Sequence, residues 1–216
     1  MSDIKTGFLF DLDGVLIDSE SQYSKIWAQI NREFPTGVEA LELKIKGGTL
    51  EKILAEYFPD EATKIKVKDR LHYLESLMEY DYLPGAYEFL NKLEKRGLPK
   101  ALVTSSDNKK MDHLEEELPG FINIFDYVVT ADQISASKPS PEGYLLAANK
   151  LGCQPENCAV FEDSLQGVMA GRNAGAFVVG IEGTLPAATL QPYSDIIVRS
   201  LAEINLDKLI ETLRHR

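Results

Sequence analysis

Asp11-Leu12-Asp13-Gly14-Val15 places two carboxylates two residues apart, directly after the apolar run Gly7-Phe8-Leu9-Phe10. Val160-Phe161-Glu162-Asp163-Ser164 repeats the arrangement, with two acids closing another apolar run. If both runs are buried parallel strands, all four acids project to one sheet edge. That edge is where open α/β sheets bind ligands. Carboxylates crowded there repel one another unless a cation or a proton intervenes. Three or four of them facing one cleft make an oxygen-donor site for a hard cation, and Mg²⁺ fits because it accepts few carboxylates and keeps waters that a ligand can replace. Plainer readings exist for each piece. Asp-x-Asp-Gly is also a common turn composition, and Asp163 also suits the N-cap of a following helix.

Two further segments carry suitable groups. Val103-Thr104-Ser105-Ser106 puts hydroxyls between an apolar run and a helical pattern. Hydroxyls and free backbone N–H groups at such a place can hold phosphate oxygens, although Ser106 or Asp107 could equally serve as a helix cap. Ser137-Lys138-Pro139-Ser140-Pro141 places a lysine beside a proline. The proline restricts the local chain, so Lys138 can be aimed rather than merely solvated.

Positioning these groups requires a sheet. The runs 7–10, 101–103, 127–129, 159–161 and 177–179, with a weaker one at 196–198, read as short buried strands. Helical patterns lie between the later ones, over Asp107–Leu118, Glu142–Leu151 and Ser164–Ala174. Alternation of this kind predicts βαβ units, hence an α/β fold with a Rossmann-like parallel sheet. From about Ser19 to Tyr82 only helical spacing is found: Tyr23/Ile26/Trp27/Ile30, then Leu50/Ile53/Leu54/Tyr57, then Leu71/Leu74/Leu77/Met78. That stretch is expected to be an inserted helical domain, residues 18–83, with the core formed by 1–17 and 84–216.

The 216 residues suffice for such a two-part body. A net charge of −11 disfavours nucleic acid and anionic membranes, whose fields would repel the chain. Any phosphate must therefore be held by local donors. Cys153 and Cys158 form neither a disulfide framework nor a zinc set, and are expected to be buried free thiols. No apolar stretch is long enough to cross a bilayer and no leader pattern is visible, so a cytoplasmic location is expected.

Taken together, Asp11–Glu20 (D-L-D-G-V-L-I-D-S-E), Val103–Ser105, Ser137–Pro141, Phe161–Ser164 and the glycine- and alanine-rich Gln166–Ala176 resemble, in order and spacing, the haloacid dehalogenase-like hydrolase superfamily. The likeness spans essentially the whole chain, and the insertion resembles the family's small α-helical cap. It implies Asp11 as nucleophile and Asp13 as general acid and then base. It implies Mg²⁺ held by Asp11, Asp13 through its backbone carbonyl, and Asp163, with Glu162 reaching it directly or through water. Thr104, Ser105 and Lys138 would bind the phosphoryl group.

Asp13 disfavours the dehalogenase and phosphonatase branches, which lack an acid there. The β-phosphoglucomutase branch resembles the core, but this chain has Tyr23 where those mutases carry histidine, and Leu50 where they carry a phosphate-binding arginine. A phosphatase acting on a small, sugar-phosphate-like monoester is therefore favoured, with a phosphosugar mutase as the alternative. A non-catalytic relative is disfavoured by the presence of both Asp11 and Asp13. The substrate-facing loop is expected at Lys46, Gly47, Gly48 and Thr49. The expected partner is a small phosphorylated substrate and the expected state a monomer. Tyr23 and Trp27 read as packing residues, His72 and His113 as solvated histidines, and Lys64–Arg70 and Lys109-Lys110 as solvated charge.

Overall fold

The computed structural model describes residues 5–45 and 48–216. Six strands form one fully parallel sheet: β1 (Gly7–Phe10), β2 (Lys100–Val103), β3 (Tyr127–Val129), β4 (Cys158–Glu162), β5 (Phe177–Ile181) and β6 (Ile196–Val198). Their order is β3-β2-β1-β4-β5-β6, so the fold is the α/β, Rossmann-like architecture expected. The strand order reverses between β1 and β4, whose carboxyl ends flank the crevice where such sheets take ligands. Register is fixed there by Phe10 opposite Phe161, by Asp11 N–H donating to the Phe161 carbonyl at 3.0 Å, and by stacking of the two phenyl rings at 4.4 Å.

Successive strand residues face opposite sides of the sheet. Phe8, Phe10 and Phe161 join one apolar cluster, and Leu9, Val103 and Val160 join another. The first cluster is covered by α5 (Ala86–Lys95), α6 (Asn108–Glu117) and α10 (Leu206–Arg214). The second is covered by α7 (Glu142–Leu151), with α8 (Leu165–Asn173) packed against β4 and β5. A single-turn helix, α9 (Ala187–Leu190), precedes β6. Helices α5 and α10 lie outside the set expected from sequence. Each has an apolar stripe, Ala86/Phe89/Leu90/Leu93 and Leu206/Leu209/Leu213, at the spacing that buries one face.

Between β1 and α5 the elements among the described residues are helices: α1 (Glu20–Glu33), α2 (Leu41–Lys44), α3 (Leu50–Tyr57) and α4 (Glu61–Glu75). Helix α4 ends at Glu75 rather than running on to Met78. Ser76 caps it, and Leu77 and Met78 close the following turn through N–H bonds to Leu74 and Glu75. The outgoing and returning chains lie side by side. Asp18 N–H donates to Asp81, Leu83 N–H donates to Leu16, and Ile17 and Tyr82 form an antiparallel bridge. Ile26, Trp27, Ile30, Val67 and Leu71 of these helices belong to the same apolar cluster as Phe10 and Phe161. Residues 64–70 are mostly exposed or half-exposed, as expected. Both cysteines are free and buried.

Gly85 starts α5 at φ +83°, and a Cβ there would collide with the backbone of Ala202. Gly85→Ala is expected to lower unfolding free energy by at least about 1–3 kcal/mol, since both the left-handed backbone and the close approach favour glycine. Urea unfolding of the two proteins measures it.

Candidate active site

The carboxyl ends of β1 and β4 bring Asp11, Glu162 and Asp163 together. One carboxylate oxygen from each lies within 4.8 Å of the others, and all three residues are buried. Helix α8 begins immediately after them. Its N-cap is Ser164, whose hydroxyl accepts from Gly167 N–H at 3.0 Å. Capping is thus carried by Ser164, which leaves Asp163 to line the cavity. Gly14, at φ +75°, lets the turn after β1 close onto this carboxylate: a Cβ there would overlap Asp163 Oδ2. The donor set is hard oxygen, it carries excess negative charge, and it could hold a divalent cation.

Glu162 has no solvent exposure. Its Oε1 accepts from Lys138 at 2.5 Å and from the Tyr144 hydroxyl at 2.7 Å. Its Oε2 accepts from the Ser164 hydroxyl at 3.0 Å and from Ser164 N–H at 3.3 Å. Lys138 is buried as well, and also donates to Asp11 Oδ1 at 2.7 Å and to the Val103 carbonyl at 3.2 Å. Burial opposes its charge, yet Asp11 and Glu162 outweigh that and hold the ammonium above its ordinary range. Burial, reinforced by the charge of Glu162, pushes Asp11 up to about 7 against the pull of Lys138. The Tyr144 phenol is raised by burial and by Glu162.

Asp13 stands at the mouth of the same crevice. Both its oxygens accept from Lys110 Nζ, at 2.7 and 2.6 Å; Oδ1 also accepts from the Ser19 hydroxyl, and Oδ2 from Ser106 at 3.4 Å. Lys110 corrects the expectation of a solvated lysine: it is 4% exposed, while Lys109 is exposed. Its ammonium lies 4.3 Å from the centroid of the Tyr23 ring, and the Tyr23 hydroxyl donates to Glu75 at 2.8 Å. Glu75 is raised by burial despite Lys110 nearby. His72 and His113 also depart from expectation. Both are half-buried, His72 at 3.4 Å from Asp107 and His113 against the Tyr80 ring.

These groups surround a cavity of about 130 Å³. Asp11, Asp13, Ser105, Lys138 and Asp163 line its floor, and Trp27, Ile45, Leu50, Ile53 and Leu71 give it an apolar side. Tyr23 and Trp27 both pack against the core and line this space. Thr104 lies just behind, buried, with its Oγ1 accepting from Ser106 N–H at 3.0 Å. Asp107, not Ser106, caps α6, accepting from Lys110 N–H at 3.0 Å. Of the expected substrate loop, Gly48 lines the cavity and Thr49 precedes α3, while Lys46 and Gly47 lie outside the described residues. Lys110 had a signal in sequence: it sits four residues before Leu114 and beside Met111, on the apolar stripe of α6.

The fold and this edge define a Rossmann-like α/β protein with a carboxylate-rich site at the carboxyl ends of its central strands. The chain belongs to the haloacid dehalogenase-like hydrolases, a family that matches residues 5–175. It is 32% identical over 206 residues to hexitol phosphatase A of Escherichia coli (strain K12), covering 94% of each protein. It is 31% identical over 207 residues to validoxylamine A 7'-phosphate phosphatase of Streptomyces hygroscopicus subsp. limoneus, covering 91% of this chain and 94% of that one. Its fold matches a crystal structure of β-phosphoglucomutase from Clostridium difficile with a TM-score of 0.80 and 23% identity, over 98% of both chains. Among the described residues no helix is long and apolar enough to cross a membrane.

The raised Asp11 makes a prediction for metal-free protein. Its folded value near 7 exceeds the ordinary 3.8, so between these values the folded state binds more protons and this group's contribution to stability falls as pH rises. Asp11→Asn cannot titrate. Its melting temperature in chelator should therefore gain on that of the wild type as pH is raised from about 4 to about 7, as followed by thermal melts.

Proposed function

We propose that the chain is a Mg²⁺-dependent phosphatase that hydrolyses a small, sugar-phosphate-like monoester through an aspartyl phosphate on Asp11. The carrying observation is that Asp11 and Asp13 face one cavity, with Lys138 bonded to Asp11. In this reading residues 18–83 are a cap, and 1–17 with 84–216 form the catalytic core.

Asp11 attacks phosphorus and the bond to the leaving oxygen breaks, with Asp13 giving that oxygen its proton. A water then loses a proton to Asp13 and attacks the phosphoryl phosphorus, which frees phosphate and restores Asp11. Thr104, Lys138 and the Ser105 N–H hold the phosphoryl oxygens through both steps. Asp11, the Asp13 carbonyl and Asp163 would hold the ion, with Glu162 behind them because both its oxygens already accept protein donors. When bound, Mg²⁺ supplies positive charge between a carboxylate and a phosphate dianion.

The described lining favours hydrolysis over mutation. Its cations are Lys110 and Lys138, and each is ion-paired to acids of the site. Leu50 lines the apolar side, and Tyr23 gives its hydroxyl to Glu75. A mutase must anchor a second phosphate while the first is transferred. The hexitol and validoxylamine phosphate phosphatases among the relatives support a polyhydroxylated leaving group.

The test is phosphate release from a panel of phosphosugars and phosphopolyols, with Mg²⁺ and with chelator. Release is expected only with metal and is expected to vanish in Asp11→Asn. Supplied with β-glucose 1-phosphate and a trace of the bisphosphate, the protein should yield free phosphate. Rapid formation of glucose 6-phosphate with little phosphate would establish the mutase instead.

A further inference from the structure

We propose that Lys110 is the positioning residue for Asp13. It fixes the carboxylate for proton transfer and ties that geometry to the placement of the helical segment. The inference rests on the phosphatase reading above and adds to it a residue outside the motifs that resemble the family.

Lysine is almost never fully buried unless paired. Lys110 is nearly inaccessible, and what surrounds its ammonium accounts for that burial: both oxygens of Asp13, the face of Tyr23, and the charge of Glu75. These partners come from different parts of the chain. Asp13 follows β1 and Lys110 stands in the first turn of α6, whereas Tyr23 lies on α1 and Glu75 ends α4. The lysine backbone is itself pinned, since its N–H donates to the α6 cap Asp107. The ammonium therefore reaches Asp13 from a fixed base, and two contacts on one carboxylate define its rotation as well as its position. Ser19 and Ser106 complete the grip, one hydroxyl on each oxygen.

That grip matters because proton transfer is sensitive to geometry. When Asp13 passes its proton to the leaving oxygen it becomes a carboxylate, and a cation already aligned with both oxygens stabilises that product without further rearrangement. The same carboxylate, held in place, then takes the proton of the attacking water. Lys110 needs no contact with substrate for this. The Tyr23 ring lies against the same ammonium and its hydroxyl donates to Glu75, so Lys110, together with Ser19 at the start of α1, couples α1 and α4 to Asp13.

The experiment is a double-mutant cycle of Lys110→Met and Asp13→Asn, with phenyl phosphate and para-nitrophenyl phosphate as substrates and Mg²⁺ present. Lys110→Met is expected to lower kcat on phenyl phosphate by about 10–100-fold, less than the roughly 10²–10⁴-fold that a general acid itself supplies, because the acid is displaced rather than removed. The loss should be smaller on para-nitrophenyl phosphate, whose leaving group needs little protonation, and KM should change by less than about threefold. In the Asp13→Asn background the lysine substitution should cost no more than about twofold, because it acts through the missing acid. Lys110→Arg, which can also fork both carboxylate oxygens, should recover most of the loss. Lys110→Gln carries the same cycle if the methionine variant does not fold. Equal losses on the two esters, additive losses in the cycle, or a change in KM alone would overturn the role. Wild-type protein that releases phosphate with Mg²⁺ neither from these esters nor from any member of the phosphosugar panel would overturn the phosphatase reading, and this inference with it. If only the panel is hydrolysed, the same cycle is run on the accepted phosphosugar, where additive losses overturn the role of Lys110.

Discussion

The ammonium of Lys138, enclosed between Asp11 and Glu162, is the contact on which the site depends. Two adjacent parallel strands end in acids, and the sheet register leaves those acids no freedom to separate. Like charges at such spacing in a water-poor environment repel strongly. A single buried lysine at 2.7 Å from one and 2.5 Å from the other offsets part of that repulsion. Removing one partner of such a pair typically costs about 3–5 kcal/mol, because the remaining charge is stranded. The surroundings of Glu162 follow the same logic: Tyr144 from α7 and Ser164 at the start of α8 supply donors to a carboxylate that has no access to water.

The compensation is partial by design. With Lys138 shared by two carboxylates, Asp11, Glu162 and Asp163 still hold excess negative charge, and burial raises Asp11 toward neutrality. A site in this condition favours a divalent cation and, beside it, an anionic group that the metal and Lys138 can share. In the proposed mechanism the attacking carboxylate is thereby kept in contact with the cation that would steady the phosphoryl group. Asp13, two residues on, has a separate counter-ion in Lys110. Two aspartates of one motif thus sit in different electrostatic settings, as the proposed roles of nucleophile and proton carrier require.

The architecture was legible in sequence because it rests on local signals: short apolar runs closed by acids, helical stripes between them, and one long stretch without strand pattern. That Asp11, Glu162 and Asp163 share one edge followed from parallelism, since parallel strands put their carboxyl ends together; their crowding also needs β1 beside β4, which the strand order supplies. Less was legible where a side chain's fate depended on residues far away. Lys110 reads as surface charge next to Lys109 until the loop after β1 brings Asp13 over α6. Asp163 reads as either a member of the acidic cluster or a helix cap until Ser164 is seen to fill the cap position. Leu77 and Met78 keep helical spacing beyond α4, but a local turn, closed by their N–H bonds to Leu74 and Glu75, ends the helix at Glu75. Helices α5 and α10 carry clear apolar stripes, yet their partner is a sheet face whose existence no single segment declares.

The central claim is that Asp11 carries the phosphoryl group during turnover. Quenching the enzyme with Mg²⁺ and an accepted phosphomonoester, then reducing with borohydride, tests it most directly, because reduction of an acyl phosphate converts aspartate to homoserine. The account predicts homoserine at position 11 in the peptide mass spectrum, dependent on substrate, with Asp13 and Asp163 unmodified. Steady phosphate release with position 11 left as aspartate, or with reduction at another carboxylate, would contradict it.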